Sequence, residues 1–253
     1  MQTQPPCVLL LGGTTEASRM ARALAAAGID AIFSYAGRTQ TPVAQPLPTR
    51  IGGFGGVSGL AAYLRANAIT HLIDATHPFA AQISRNAISA CAETATALIA
   101  LERPAWAPGP GDHWRNFPSL EHAAAALPEK PERIFLAIGK QNLDVFAHRP
   151  EPFYLLRLVD APTAPLPFPN AAHVLDRGPF SLESDRALLR RHRITLVIAK
   201  NAGGDGARAK LDAARALHLP VFLIDRPALP ARPIAATPEE VLRWLHHGAA
   251  RGV

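Results

Sequence analysis

The chain predicts an α/β fold built on parallel sheets, and three observations carry that prediction. Short apolar runs alternate with segments of helical periodicity, most runs end in polar or glycine-rich turns, and a Pro-, Gly- and Trp-rich break separates two such series. Val8 to Leu11 is an apolar run of strand length, and the alanine-rich segment that follows is long enough for a helix of about three turns. "DAIFSYAG" (30–37), "THLIDAT" (70–76) and "ATALIAL" (95–101) read as further strands. "SGLAAYLRANA" (58–68) and "FAAQISRNAISACAET" (79–94) read as the helices between them. The break runs from Arg103 to Pro131, after which "RIFLAIGKQNL" opens a second α/β series. That series continues with "FYLLRLV", a proline-rich loop at 161–170, a helix from about Ser181, "ITLVIAK", a helix from about Ala207 and "PVFLI". "TPEE" at 237–240 places Thr at a cap, Pro at the first helical position and Glu three residues on, announcing a last helix that ends near His247. The expected division is 1–103 and 104–253, the second unit including a connecting segment, 104–131, and the C-terminal helix.

At 253 residues and 48% hydrophobic content the chain suits one large or two small globular domains. No apolar stretch reaches the length of a membrane span, and "MQTQPPC" lacks a basic-then-apolar signal region, so a cytoplasmic protein is expected. Cys7 and Cys91 stand apart from any C-x-x-C pair, which argues against a disulfide framework, and no metal site is expected. A net charge of +6 suits an acidic partner: nucleic acid, a membrane surface or a small polyanion. The arginines are scattered and few aromatics lie among them, which disfavours a nucleic-acid surface.

In an open parallel sheet, ligands lie beyond the carboxyl ends of the strands, so candidate chemistry is read there. "GGTTEA" joins a strand to a helix N-terminus, where Gly12 and Gly13 would let a phosphate approach the main chain; the alternative is a plain βα turn capped by Thr14 or Thr15. The dinucleotide fingerprint G-x-G-x-x-G is met only in part, because Thr14 and Ala17 stand where the later glycines belong. Arg38 follows the second strand at the place where NAD-binding proteins carry an acidic residue on the ribose. It is either a 2′-phosphate partner favouring NADP or a solvated loop arginine. "GGFGG" (52–56) is a ligand loop or a flexible linker, and His77 in "DATHPFA", just before a helix that Thr76 could cap, is a proton donor, a ligand contact or a structural residue. "KNAGG" brings Lys200 and Asn201 to a glycine-rich helix entrance, with Lys210 further along, a set suited to carboxylate or phosphate; the alternative is a plain helix start. Tyr-x-x-x-Lys, G-x-x-x-x-G-K-[ST] and G-x-S-x-G are all missing, which excludes short-chain dehydrogenase, P-loop and α/β-hydrolase readings.

Taken in order, "LLLGGTTEA", "YAGR", "GGFGG", "DATHPFA", "ERP", "GK-N-L" and "KN-GG" resemble the precorrin-6A reductase family of cobalamin biosynthesis over nearly the whole chain. Ala202 departs from the pattern, where serine is expected. The resemblance implies two Rossmann-like domains with the active site in the cleft between them. It also implies an NADPH-dependent oxidoreductase that reduces the C18=C19 bond of precorrin-6A to give precorrin-6B. Residues 1–103 would bind NADPH and 104–253 would face the substrate, a polycarboxylate macrocycle. Cofactor binding is thereby carried to Gly12, Gly13, Thr14, Thr15, Glu16, Arg38, Gly52, Gly53, Phe54, Gly55, Gly56, Asp74 and Thr76. Substrate binding is carried to Lys140, Asn142, Lys200, Asn201, Gly203 and Gly204, with His77 at the junction as the catalytic candidate. Transient contacts with neighbouring pathway enzymes are also implied, and no nucleic-acid or membrane partner. The competing expectation is a non-catalytic NADP(H)- or tetrapyrrole-binding protein.

Overall fold

The computed structural model describes residues 5–37, 43–130, 132–162 and 164–250. Along the chain it runs β1 (Cys7–Leu11), α1 (Thr15–Ala26), β2 (Asp30–Tyr35), β3 (Thr49–Ile51), α2 (Gly56–Ala66), β4 (His71–Asp74), α3 (Ala81–Thr94) and β5 (Ala97–Leu101). It continues through β6 (His113–Phe117), α4 (Leu120–Ala125), β7 (Arg133–Ala137), a 3-10 turn at Leu143–Phe146, β8 (Phe153–Leu158), β9 (Ala171–Leu175) and α5 (Leu182–Arg191). The last elements are β10 (Leu196–Lys200), α6 (Ala209–Ala216), β11 (Pro220–Ile224), β12 (Ile234–Ala235) and α7 (Pro238–Ala250). The chain divides into two compact units, Met1–Pro104 with Ala228–Val253, and Ala105–Pro227.

The first unit is a six-stranded sheet in the order β12-β5-β4-β1-β2-β3, parallel throughout. Side chains alternate across a strand, so Val8 and Leu10 pack on one face with α1 and α7, while Leu9 and Leu11 pack on the other with α2 and α3. Because both faces are covered, β1 reads as an unbroken apolar run rather than an alternation. Helix α1 meets the sheet through Ala17, Met20, Ala21 and Leu24, one stripe at helical spacing.

The second unit repeats the plan: its six strands run β6-β11-β10-β7-β8-β9, again all parallel. Phe135, Leu155, Val197 and Leu223 form one core with Leu189 of α5 and Leu211 of α6. In each sheet five strands follow one another as a doubly wound series, and the sixth comes from a segment outside that series, β12 in one unit and β6 in the other.

Three expectations are corrected. The C-terminal helix packs in the first unit, not the second, because β12 pairs with β5 and α7 lies against α1. The 103–131 break holds a strand and a helix, β6 and α4, the strand hidden by its polar sequence HWRNF. Helix α3 is not capped by Thr76; its N-cap is Ala80, and Thr76 closes a turn on Asp74 instead. Among the described residues, no helix is long and apolar enough to cross a membrane, and no group of three His, Cys, Asp or Glu could hold a metal ion.

Candidate functional site

In the first sheet the winding reverses between β1 and β4, which opens a crevice at their carboxyl ends. The turn after β1 is packed tightly on one side and open on the other. A Cβ on Gly12 would lie 2.1 Å from Phe33 Cζ, so only glycine lets the main chain rest on that ring. Gly13 has φ +116° and faces open space. Thr14 caps α1, its Oγ1 accepting from Ala17 N–H at 3.1 Å and donating to the Ala75 carbonyl at 2.8 Å. One hydroxyl thus ties the turn after β1 to the turn after β4. Thr15 opens the helix and is exposed, and Glu16, one residue on, is ion-paired to Arg103 beyond β5.

The 52–56 loop is organised by Arg50, which sequence reasoning passed over. Its guanidinium donates to Ser34 Oγ at 2.7 Å, to the Gly52 carbonyl at 3.0 Å and to the Gly53 carbonyl at 3.1 Å, and lies 3.8 Å from the centroid of the Phe54 ring. Gly52, Gly55 and Gly56 all adopt positive φ with open space where a side chain would stand. Arg38, expected beside this loop at the end of β2, lies outside the described residues.

Asp74 is buried, and its Oδ1 accepts from the Thr76 N–H at 3.1 Å and the Thr76 hydroxyl at 2.7 Å. Its other oxygen stands 4.0 Å from Arg232, which is also ion-paired to Glu102. Asp74 and Thr76 therefore shape the turn after β4 from beneath. His77 is exposed on that turn, its Nδ1 accepting from the Phe79 N–H at 3.2 Å.

In the second sheet the corresponding reversal falls between β7 and β10, paired through Ala137 and Ala199. The expected substrate residues gather in the two turns beyond that pair. Lys140 and Asn142 are exposed after β7, Asn142 at φ +63°. Lys200 ends β10, and Gly203 and Gly204 follow at φ +70° and +74°. Asn201 departs from its expected role as a side-chain ligand. Its amide is buried and spent on Trp106, accepting from the main-chain N–H at 2.8 Å and donating to the carbonyl at 3.0 Å. Trp106 in turn donates its indole N–H to the Gly204 carbonyl at 2.7 Å. The guanidinium of Arg226 holds the Asn201 and Ala202 carbonyls, each at 3.1 Å. Trp106 lies inside the 103–131 break and Arg226 just past the strand "PVFLI"; both are distant in sequence from the loop they fix, and nothing local to either gives it a role there.

Two glycine-rich switch points, one in each unit, are what a comparison with known proteins must account for. Residues 7–246 match the family model described as precorrin-6x reductase CbiJ/CobK. A precorrin-6A reductase from Rhodobacter capsulatus is 62% identical over 248 residues, covering 97% of this chain and 99% of that protein. A cobalt-precorrin-6A reductase from Priestia megaterium is 30% identical over 250 residues, covering 94% and 97%. The solved structure of a CobK precorrin-6A reductase superposes with a TM-score of 0.93 at 61% identity, covering 98% of this chain and 100% of that one. Whole-length agreement of sequence and fold leaves no segment unaccounted for between β1 and α7: the chain belongs to the precorrin-6x reductase family.

Proposed function

We propose that the chain is an NADPH-dependent oxidoreductase that reduces the C18=C19 bond of precorrin-6A to precorrin-6B in cobalamin biosynthesis, acting in the cytoplasm. The observation that carries the cofactor half of this reading is the turn after β1. Gly12 brings the main chain down onto Phe33, Gly13 leaves an open face, and the N-terminus of α1 points into the crevice, a fit for a pyrophosphate. When bound, NADPH supplies a hydride from C4 of its nicotinamide. Gly12 to Glu16 and the Gly52–Gly56 loop with Phe54 hold the dinucleotide, Asp74 and Thr76 support that seat, and Arg38 pairs with the 2′-phosphate. Lys140, Asn142, Lys200, Gly203 and Gly204 hold the carboxylates of the macrocycle, whose separated acids need separated donors. That hydride would add to one carbon of the double bond and a solvent proton to the other, which leaves the cofactor as NADP⁺. His77 positions rather than protonates, and residues that align donor and acceptor and exclude water supply most of the rate. Neighbouring pathway enzymes make only transient contacts.

Anaerobic mixing of the protein with NADPH and precorrin-6A tests this. Stoichiometric NADPH oxidation is expected, with C4 deuterium appearing at a single macrocycle carbon and the second hydrogen coming from solvent. Binding of both molecules without NADPH consumption would establish the competing reading, a non-catalytic binding protein. In the same assay NADPH should be preferred over NADH, and Arg38→Ala should cost about one to two decades of that preference, the worth of one charge-assisted contact at roughly 1.5–3 kcal/mol.

A further inference from the structure

The loop from Asn201 to Ala207 carries an arrangement of its carbonyls that the function above does not use. The Asn201 and Ala202 carbonyls accept from Arg226, the Gly204 carbonyl accepts from the Trp106 indole, and the Ala207 carbonyl accepts from the Lys210 ammonium. A trans peptide is planar, with its N–H directed opposite to its C=O. Trp106 is 7% exposed, so drawing the Gly204 carbonyl toward it turns the N–H of Asp205 away from the core. The hold of the half-buried Arg226 on the Ala202 carbonyl likewise turns the N–H of Gly203 away from that guanidinium. Among the described residues neither N–H has a protein acceptor; Asp205 is exposed, whereas Gly203 is buried, where a main-chain donor without an acceptor is rare.

We infer that this loop takes a substrate carboxylate on its own backbone, through the N–H groups of Gly203 and Asp205, and that Trp106 and Arg226 are the positioning residues that present them. The inference rests on the proposed placing of substrate carboxylates at this loop. The positive φ values of Gly203 and Gly204 leave those two positions to glycine, so neither puts a side chain between the loop and a ligand. Two of the groups beneath the loop are cations, so their charge reaches the anion through peptides they also orient. The Lys210 ammonium lies 4.9 Å from the centroid of the Trp106 ring, which completes the support. Asn201 acts one step behind, by holding the Trp106 main chain.

The test compares Trp106→Phe, which keeps the ring and its packing but loses the donor, with Arg226→Gln and Lys200→Ala. Steady-state kinetics against precorrin-6A and against NADPH, and the melting temperature, are measured for each. Trp106→Phe and Arg226→Gln should each raise KM for precorrin-6A about tenfold, with kcat and the KM for NADPH moving less than twofold. A lowered melting temperature with unchanged KM would make both residues merely structural and overturn the inference. If Lys200→Ala raises the KM for precorrin-6A while the other two do not, the positioning role fails and the loop's substrate role stands. If none of the three moves it, the placing of substrate at this loop fails as well. Should Trp106→Phe not fold, Arg226→Gln decides by the same readouts.

Discussion

At Gly12 a single missing carbon sets the path of the chain, since a Cβ there would lie 2.1 Å from Phe33 Cζ and 2.3 Å from Cε1. Phe33 is fully buried against α1 and cannot swing away without disturbing the core. Gly12→Ala is therefore expected to destabilise the fold by about 1–3 kcal/mol, the usual cost of overpacking, and to lower the melting temperature by roughly 2–12 °C. Phe33→Leu in the same chain should recover part of that loss by vacating the space of the ring; no recovery would mean that the clash is not the cause. The sequence made Gly12 and Gly13 visible because glycines at a strand–helix turn have few other uses. Thr14 was visible for a similar reason, as an oxygen at a helix start. Arg50 was not, because it lies in a three-residue strand that shows no periodicity and an arginine there reads as surface. Asn201 was recognised as part of a site but not in its role, since Trp106, its partner, is 95 residues away.

The elements at the C-terminus show where reading along the chain fails. "TPEE" marked α7 correctly, for the Thr237 hydroxyl accepts from the Glu240 N–H at 3.3 Å and Glu240 accepts from the Ala236 N–H at 2.7 Å. Nothing local says which sheet the helix joins, and β12, which decides it, is only two residues long. Consecutive elements are usually neighbours in space, so the sequence alone favoured the wrong unit. The tie is made by Ile234 and Ala235 pairing with Ala100 and Leu101, by the burial of Val241 and Leu245, and by Arg232 between Glu102 and Asp74. A chain ending at Pro227 would bare the β5 edge and the α1 face that α7 covers, and remove Arg232 from beside Asp74 and Glu102. Losing Val241 and Leu245 alone forfeits roughly 3–6 kcal/mol, comparable with the whole stability of many domains. The truncated chain is expected to aggregate and bind a hydrophobic dye, as judged by light scattering and fluorescence. A monomer melting at the full-length temperature would show that this segment is not part of the first unit's core.

On the scale of the molecule, each unit carries a histidine whose pKa burial lowers, and together they set a direction for stability against pH. His71, on β4, has its pKa lowered by burial; its Nδ1 lies 2.8 Å from Thr70 Oγ1 and its ring 5.2 Å from that of Trp244. His192, after α5, is lowered by burial first and then by the charges of Arg133 and Arg191, with Phe153 stacked on its ring. A group whose pKa is lower folded than unfolded takes up its proton in the unfolded chain first, so acid favours unfolding. The contribution is complete above the ordinary histidine value of about 6.5 and is lost as pH falls through the folded values. Asp112 extends the trend at lower pH. Burial would raise Asp112, but the Arg215 guanidinium and the Gly109 N–H outweigh it and hold it below the usual range, so its contribution is lost only further down. The melting temperature should therefore be level from pH 8 to about 7 and begin to fall once the pH drops below about 6.5, ahead of the fall that Asp112 contributes at lower pH. Replacing both histidines by glutamine should flatten that first fall and leave the fall below pH 4 in place. A wild-type melting temperature unchanged between pH 7.5 and 5.5 would show that neither ring is kept from its proton by the fold.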